Sequence, residues 1–456
     1  MNKIVIDKFG PLNNVELSIN DINVYIGPQA SGKSTLSKLI YFFLSVKDDF
    51  TQYYVQYITA NRPLKNNDVI CGDLSKKLRY KFVQLFGTTK HLDKETFRIS
   101  YYYSQNNYIS LQLGDDGYVK AIFSMGIKSD IKSINHLVTS YLKKSNVTNF
   151  ASQNDILIQS ANQRAVIINL SSQINRIFNN DNTVIYIPAC RSILATLSDY
   201  IYNLINDKII DLDADAAMST TSYSIDYSTK TFIDRITHLK KMFVQGLDDL
   251  IKDKRKFADS SISINNELLS KVKDLSYSIL KGEYKYSYNE ERLYYTPTEY
   301  VKFSLSSSGQ QEATWIILLI FAQILNNAQT TLLIEEPEAH LHPEAQMSMV
   351  HLISLFANIK GNSVIVTTHS PYILTSINSL MYAYNVGKKQ GNKSLVEQIV
   401  DKSKWIDPKQ IGAYQFANGT LEYIIDESMH QIKAELIDSI SETINNIYYQ
   451  LLEMDN

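Results

Sequence analysis

Short apolar alternations open the chain at Lys3–Ile6, Val15–Ile19 and Asn23–Ile26, and each predicts a β-strand. The third runs into a glycine-bearing turn, and Ser34–Leu44 behind it suits a helix. Residues 97–124 alternate again. Tyr108–Leu113 and Tyr118–Phe123 flank the turn residues Asp115, Asp116 and Gly117, the pattern of antiparallel strands. Residues 129–180 carry helical periodicity, and Thr183–Ile187 reads as a buried strand ending at Pro188. From 192 to 282 the pattern changes. Helices near 192–206, 229–257 and 264–281 carry charge on one face, as in Asp234–Lys241 and Lys252–Lys256. Two antiparallel helices of about 25 residues would make a short arm of about 35–40 Å. Beyond it the spacing predicts a strand at 301–305, a helix at 310–325, a strand at 331–334 and a helix at 344–358. A strand at 363–367, a helix at 371–378 and a strand at 380–386 follow. A final amphipathic helix over 427–453 would align Ile432, Leu436, Ile437, Ile440, Ile444, Ile447 and Leu451.

Strands alternating with helices imply an α/β fold with a mixed or parallel sheet, joined by an antiparallel β subdomain. Three regions follow: a first lobe (1–191), a helical insertion (192–282) and a second lobe with a helical tail (283–456). A chain of 456 residues has no difficulty in burying such a core. Its formal charge of −2, from 45 basic and 47 acidic residues, excludes a global field for nucleic acid or membrane. Two cysteines, Cys71 and Cys190, make no disulfide framework, which suits a reducing cytoplasm. The N-terminus lacks the apolar core of a signal peptide, and the longest apolar run, Trp315–Leu325, is too short to span a bilayer. A cytoplasmic protein without a membrane partner is expected.

The chemistry begins at residues 27–35. Gly27, Gly32, Lys33 and Ser34 meet G-x-x-x-x-G-K-[ST], a phosphate-binding loop in strand–loop–helix context. Its backbone N–H groups and the helix N-terminus attract anionic oxygens, Lys33 reaches the outer phosphates, and Ser34 offers a Mg²⁺ ligand. Leu332–Glu336 is an apolar strand ending in two carboxylates. Glu335 suits the metal; Glu336 suits polarising an attacking water. Ser306–Gln311 precedes a helix and offers a second anion site, although a plain serine N-cap reads the same way. His369, at a strand end, can bond a terminal phosphate or the attacking water.

In this order the segments resemble the ATP-binding cassette superfamily. Ser307, Ser308, Gly309 and Gln310 match its S-G-G-Q signature with one Gly replaced by Ser, and His369 matches its switch histidine. Phe9-Gly10-Pro11-Leu12, Tyr186-Ile187-Pro188-Ala189 with Arg191, and Glu335–Pro343 narrow the resemblance to OLD-type and SMC-like ATPases. These include ATPase subunits of bacterial anti-phage systems such as Septu, PARIS and retron modules. The resemblance implies ATP and Mg²⁺ as cofactors and two protomers sandwiching two nucleotides, the signature of one facing the loop of the other. It assigns nucleotide contacts to Gly27, Gln29, Ala30, Ser31, Gly32, Lys33, Ser34, Thr35, Ser307, Ser308, Gly309 and Gln310. It assigns Mg²⁺ to Ser34 and Glu335, and catalysis to Glu336 and His369. A homodimer or higher homo-oligomer and a separate effector, a nuclease or toxin, are the implied partners.

His340 and His342 lack a third spaced ligand for zinc. Leu395-Val396-Glu397 with Asp401 is similar to the start of a Toprim nuclease domain, but the remaining chain has no D-x-D strand end, and no nuclease is expected. The leading reading is an ATP-hydrolysing switch in antiviral defence. A RecF-like DNA-repair clamp and an ATP-locked scaffold are the alternatives. For nucleic acid the chain offers Lys76, Lys77, Arg79 and Lys81, and Lys252, Lys254, Arg255 and Lys256; each cluster also reads as a solvated helix face. Two roles stay open for Arg191: a relay of nucleotide state into the insertion, or pairing with a core carboxylate.

Overall fold

The computed structural model describes residues 2–145, 153–189, 191–194, 226–244, 246–257, 265–287, 290–389, 391–417 and 419–433. The helix expected near 192–206 beyond residue 194, and the tail helix beyond residue 433, lie outside the described residues.

The opening strands are β1 (Lys3–Phe9), β2 (Leu12–Ser18) and β3 (Ile22–Ile26), followed by α1 (Lys33–Leu44). Two helices follow that the polar pattern did not announce, α2 (Val46–Thr59) and α3 (Asn67–Phe86). Next come β4 (Arg98–Tyr102), β5 (Tyr108–Leu113), β6 (Val119–Phe123), α4 (Met125–Ser145), α5 (Gln153–Ile177) and β7 (Thr183–Ile187). β1 and β2 join the hairpin strands in one antiparallel sheet, ordered β2-β1-β4-β5-β6.

The region read as a two-helix arm differs. Its helices are α6 (Tyr227–Leu239), α7 (Leu247–Phe257) and α8 (Asn266–Leu280). The single helix expected over 229–257 breaks between α6 and α7, where a 3-10 turn leads to Gly246 at φ 100°. The three helices pack inward. Phe232, Ile236, Leu269, Val272 and Leu275 are buried in one core with Trp315–Leu319. Apolar faces this wide are covered rather than held out in water.

The second lobe begins with an antiparallel sheet of β8 (Glu283–Ser287), β9 (Glu290–Tyr294) and β10 (Tyr300–Lys302). The strand expected to 305 ends at Lys302, because Phe303–Leu305 forms a 3-10 turn that buries Phe303. Then come α9 (Ser308–Leu325), β11 (Thr330–Glu335), α10 (Pro343–Ala357), β12 (Ser363–Thr368), α11 (Pro371–Gly387), α12 (Lys393–Ile399), β13 (Ile411–Ala417), β14 (Thr420–Tyr423), β15 (Ile425–Asp426) and β16 (Gln431–Ile432). Three expectations fail here. Residues 380–386 are not a strand but the second half of α11, with Leu380, Met381 and Ala383 turned inward and Gly387 against the Trp405 ring. β13 was not expected at all. The final helix does not start at 427, where the short β15–β16 pair stands instead.

The main sheet runs β14-β13-β3-β12-β11-β7, parallel throughout except for the edge strand β14. Helices cover both faces, and the centres of β11 and β12, Leu332–Ile334 and Val364–Val366, are accordingly apolar without alternation. Leu332, Ile334, Val364 and Val366 enter one core. Leu333 and Ile365 enter the other, with Tyr25, Tyr186 and the α1 residues Leu36 and Leu39. This is the expected α/β fold of a P-loop protein with an antiparallel subdomain. No helix among the described residues is long and apolar enough to cross a membrane.

Candidate functional site

β3, β12 and β11 are neighbours and parallel, so their C-terminal ends lie side by side: Thr368 pairs with Ile26, and Thr367 with Glu335. Ligands of open α/β sheets bind at that edge. Residues 27–35, 335–336 and 369 therefore share one corner of the molecule.

The loop from Gly27 to Gly32 is shaped by what packs behind it. A Cβ at Gly27 would stand 2.8 Å from that of Phe416 in β13; at Gly32, where φ is 108°, it would stand 2.7 Å from Leu12 Cδ2. Pro28, Gln29 and Ala30 are exposed, as is Ser34 in the first turn of α1, while Ser31 and Thr35 are half-buried. The Lys33 ammonium donates to the carbonyls of Gly27 at 2.9 Å and Pro28 at 2.8 Å. Burial lowers its pKa, opposed by the carboxylates of Glu336, Glu338 and Glu335.

Lys33 Nζ also stands 3.5 Å from His369 Nδ1, and His369 Nε2 stands 3.3 Å from Glu336 Oε1. A neutral imidazole protonated on Nε2 satisfies both neighbours. Glu336 holds a left-handed φ of 44°, with its N–H donating to Thr367 O at 2.9 Å. That turn aims its half-exposed carboxylate away from the strand axis. Glu335 is buried. Oε2 accepts from Ala189 N–H at 3.2 Å, whereas Oε1 has no hydrogen-bond partner among the described residues. A buried carboxylate oxygen left unpaired is the feature a cation would satisfy. Glu335 and the Ser34 hydroxyl thus fit Mg²⁺, whose role would be to neutralise phosphate charge. Among the described residues no group of three or more His, Cys, Asp or Glu is suited to a metal ion. Phosphate-bound Mg²⁺ needs none, because it keeps waters and phosphate oxygens.

Several supporting residues carried no signal of their own. Glu338 accepts from Thr368 Oγ1 at 2.6 Å and from His369 N–H at 2.7 Å, fixing the histidine. Only its place as the third carboxylate of Glu335–Glu338 could have marked it. Tyr186 brings a buried hydroxyl that interacts with Glu335 and with the buried Ser37. Burial, then the charge of Glu335, raises the Tyr186 phenol well above its ordinary value.

Arg191 is fully buried, and its guanidinium meets a core carboxylate: Nε lies 3.1 Å from Glu312 Oε2. It also donates to the carbonyls of Pro188 at 2.8 Å, Glu335 at 2.6 Å and Glu336 at 3.0 Å. Burial lowers its pKa, and Glu312 foremost opposes that. The side chain is committed to protein acceptors, and among the described residues no hydrogen bond joins it to the loop. What it ties together is the two carboxylate-bearing residues and α9.

The signature begins α9. Ser307 caps it through Gln310 N–H at 3.3 Å, while Gln310 Oε1 accepts from Ser307 N–H at 3.0 Å, a capping box. Gln310 Nε2 reaches Leu280 O at 2.7 Å. Ser307 and Ser308 are exposed; Gly309 is buried, and a Cβ there would lie 2.5 Å from His340 O. Among the described residues no hydrogen bond joins the signature to the phosphate loop.

The two basic clusters are locally engaged. Lys81 is buried against Asp49 at 2.5 Å, Lys77 bonds Gln52, and Arg79 covers the Tyr118 ring. Lys252 and Lys256 pair with Asp249 and Asp253, while Lys254 and Arg255 bond Asn326 and Asn266.

A phosphate loop between β3 and α1, with a carboxylate pair and a histidine on the adjoining strand ends, defines a P-loop nucleotide-binding protein. The chain belongs to the AAA ATPase domain family, whose profile matches residues 1–374. No curated protein matches the sequence. By structure the chain is similar to the Smc head domain with an extended coiled coil bound to the C-terminal domain of ScpA from Pyrococcus furiosus. That likeness has 12% identity and a TM-score of 0.39, over 98% of this chain and 100% of that one. Another is the SMC head domain from Thermotoga maritima, at 11% identity and a TM-score of 0.36, over 92% of this chain and 97% of that one.

Proposed function

We propose that the protein binds ATP with Mg²⁺ and hydrolyses it, serving as the switch subunit of a prokaryotic antiviral defence system that governs a separate nuclease or toxin. The observation that carries the catalytic part is the contact chain Lys33–His369–Glu336 at one corner of the sheet. Lys33, the loop N–H groups and Ser34 bind the phosphates; Glu335 and Ser34 hold the ion; Glu336 draws a proton from the attacking water, and His369 orients it. Lys33→Ala should weaken ATP binding roughly ten- to hundredfold in calorimetry, since a charge-assisted contact is removed. Unchanged binding would overturn the assignment. Glu335→Ala should weaken Mg²⁺-dependent binding. The defence role rests on the resemblance of Glu335–Pro343 to OLD-related ATPases; co-purification of the native chain with a toxic nuclease tests it. A repair clamp would instead bind duplex DNA with steep salt dependence.

The exposed Ser307 and Ser308 support a shared site, completed by the signature of a second protomer. Mixing Lys33→Ala with Ser308→Arg chains leaves one composite site with both halves intact. Partial turnover in the mixture, with none in either parent, is the expected result; no recovery in proven mixed dimers would count against sharing.

A further inference from the structure

The antiparallel register of β8, β9 and β10 sets Lys302 opposite Arg292, and Arg292 opposite Lys285. The next outward row is Tyr300 opposite Tyr294, and Tyr294 opposite Glu283. Between these rows Leu293 and Tyr284 point inward and are buried, so the cations and the tyrosines share the outer face with Glu283 and Glu290. Like charges directly opposite one another destabilise a sheet, so strand pairing by itself does not favour three in one row. Two acids only partly offset them: Glu283 lies 3.3 Å from Lys285, and Glu290 lies 2.6 Å from Arg292. Lys302 is exposed, and its side chain has neither a hydrogen bond nor an ion pair among the described residues. The Arg292 guanidinium stands 4.4 Å from the Tyr300 ring centroid, and Tyr300 is 44% exposed.

We propose that this face binds single-stranded nucleic acid. A row of cations tracks a phosphate backbone, while tyrosine rings and a guanidinium plane stack unpaired bases. Duplex bases are stacked on one another and offer no such surface. An acidic peptide would use the cations but leave the rings idle. The proposal is independent of the nucleotide site, although β10 runs through a single 3-10 turn into the signature.

The test is fluorescence anisotropy with a labelled 20-nucleotide (~20, enough to cover a single site) oligothymidylate, titrated with the full-length protein at several salt concentrations. Oligothymidylate should bind more tightly than duplex of the same length. Tyr300→Ala should weaken binding about tenfold with the salt slope unchanged, because stacking is lost. Lys302→Ala should lower the slope by about one, because one phosphate contact is lost. Both positions are on the surface, so folding and basal ATP turnover should stay at parental levels, which separates this proposal from the catalytic one. No binding by the parent protein, parental-level binding by both variants, or preference for duplex would overturn it. Binding of labelled polyglutamate through these same residues, without oligonucleotide binding, would assign the face to an acidic protein instead.

Discussion

Glu336→Gln is expected to leave ATP binding intact and to cut turnover roughly 10²- to 10⁴-fold, the usual worth of a positioned general base. Glutamine keeps the length and shape of the side chain. It can still accept from His369 Nε2, now 3.3 Å from Glu336 Oε1, so the histidine keeps its place between the loop and the strand end. What it lacks is the charge that polarises water. The backbone at 336 sits at φ 44°, and glutamine tolerates that conformation as well as glutamate does, so folding is not at issue. Single-turnover hydrolysis together with equilibrium nucleotide binding checks the outcome. Lost binding with normal turnover of what does bind would move the metal role to Glu336 and the base role to Glu335.

Arg191→Met should destabilise the protein by about 3–5 kcal/mol, the range for breaking one side of a buried ion pair. The variant strands Glu312, a buried carboxylate, and removes the donor that serves the carbonyls of Pro188, Glu335 and Glu336. Denaturant unfolding reads the loss. Because the result for stability is the same whether Arg191 only holds the core or also sets the carboxylates, a second variant separates the two roles. Arg191→Met with Glu312→Met removes both charges and should recover part of the stability. If Arg191 positions Glu335 and Glu336 through their carbonyls, turnover per folded molecule stays depressed in the double variant. Normal turnover there would leave the arginine a purely structural group. Glu312 also accepts the N–H groups of Arg191 and Ser192, at 2.9 Å each, so the start of the chain toward 195–225 is pinned to α9.

Local motifs were legible because their chemistry is contained in consecutive residues. The loop at 27–35, the paired carboxylates at 335–336 and the serine-capped helix start at 307–310 each occupy one turn or strand end, where spacing alone implies a role. The apolar strands at 331–334 and 363–367 were legible for the same reason, being buried on both faces. Alternation misled at 380–386. There a helix with one exposed tyrosine, Tyr382, passes for a strand, because a short apolar run does not distinguish the two periods. β13 was missed since Gly412 and Gln415 interrupt its apolar run; pairing with β3 makes it a strand. Lys81, counted in sequence among solvent-facing cations, lies buried on Asp49, which no spacing rule reveals.

By itself the amino-acid sequence determined the phosphate loop, the order of the motifs and an α/β class, since each follows from residue type and short-range period. Only the tertiary structure decided that Lys33, Glu336 and His369 meet, because the parallel neighbours β3, β12 and β11 align strand ends that lie hundreds of residues apart. It also decided that Phe416 and Leu12 shape the loop glycines, that Glu338 holds the histidine, and that Arg191 pairs with Glu312. The physical reason is one throughout: hydrogen-bond register and core packing are properties of pairs of segments, and a single segment does not carry them.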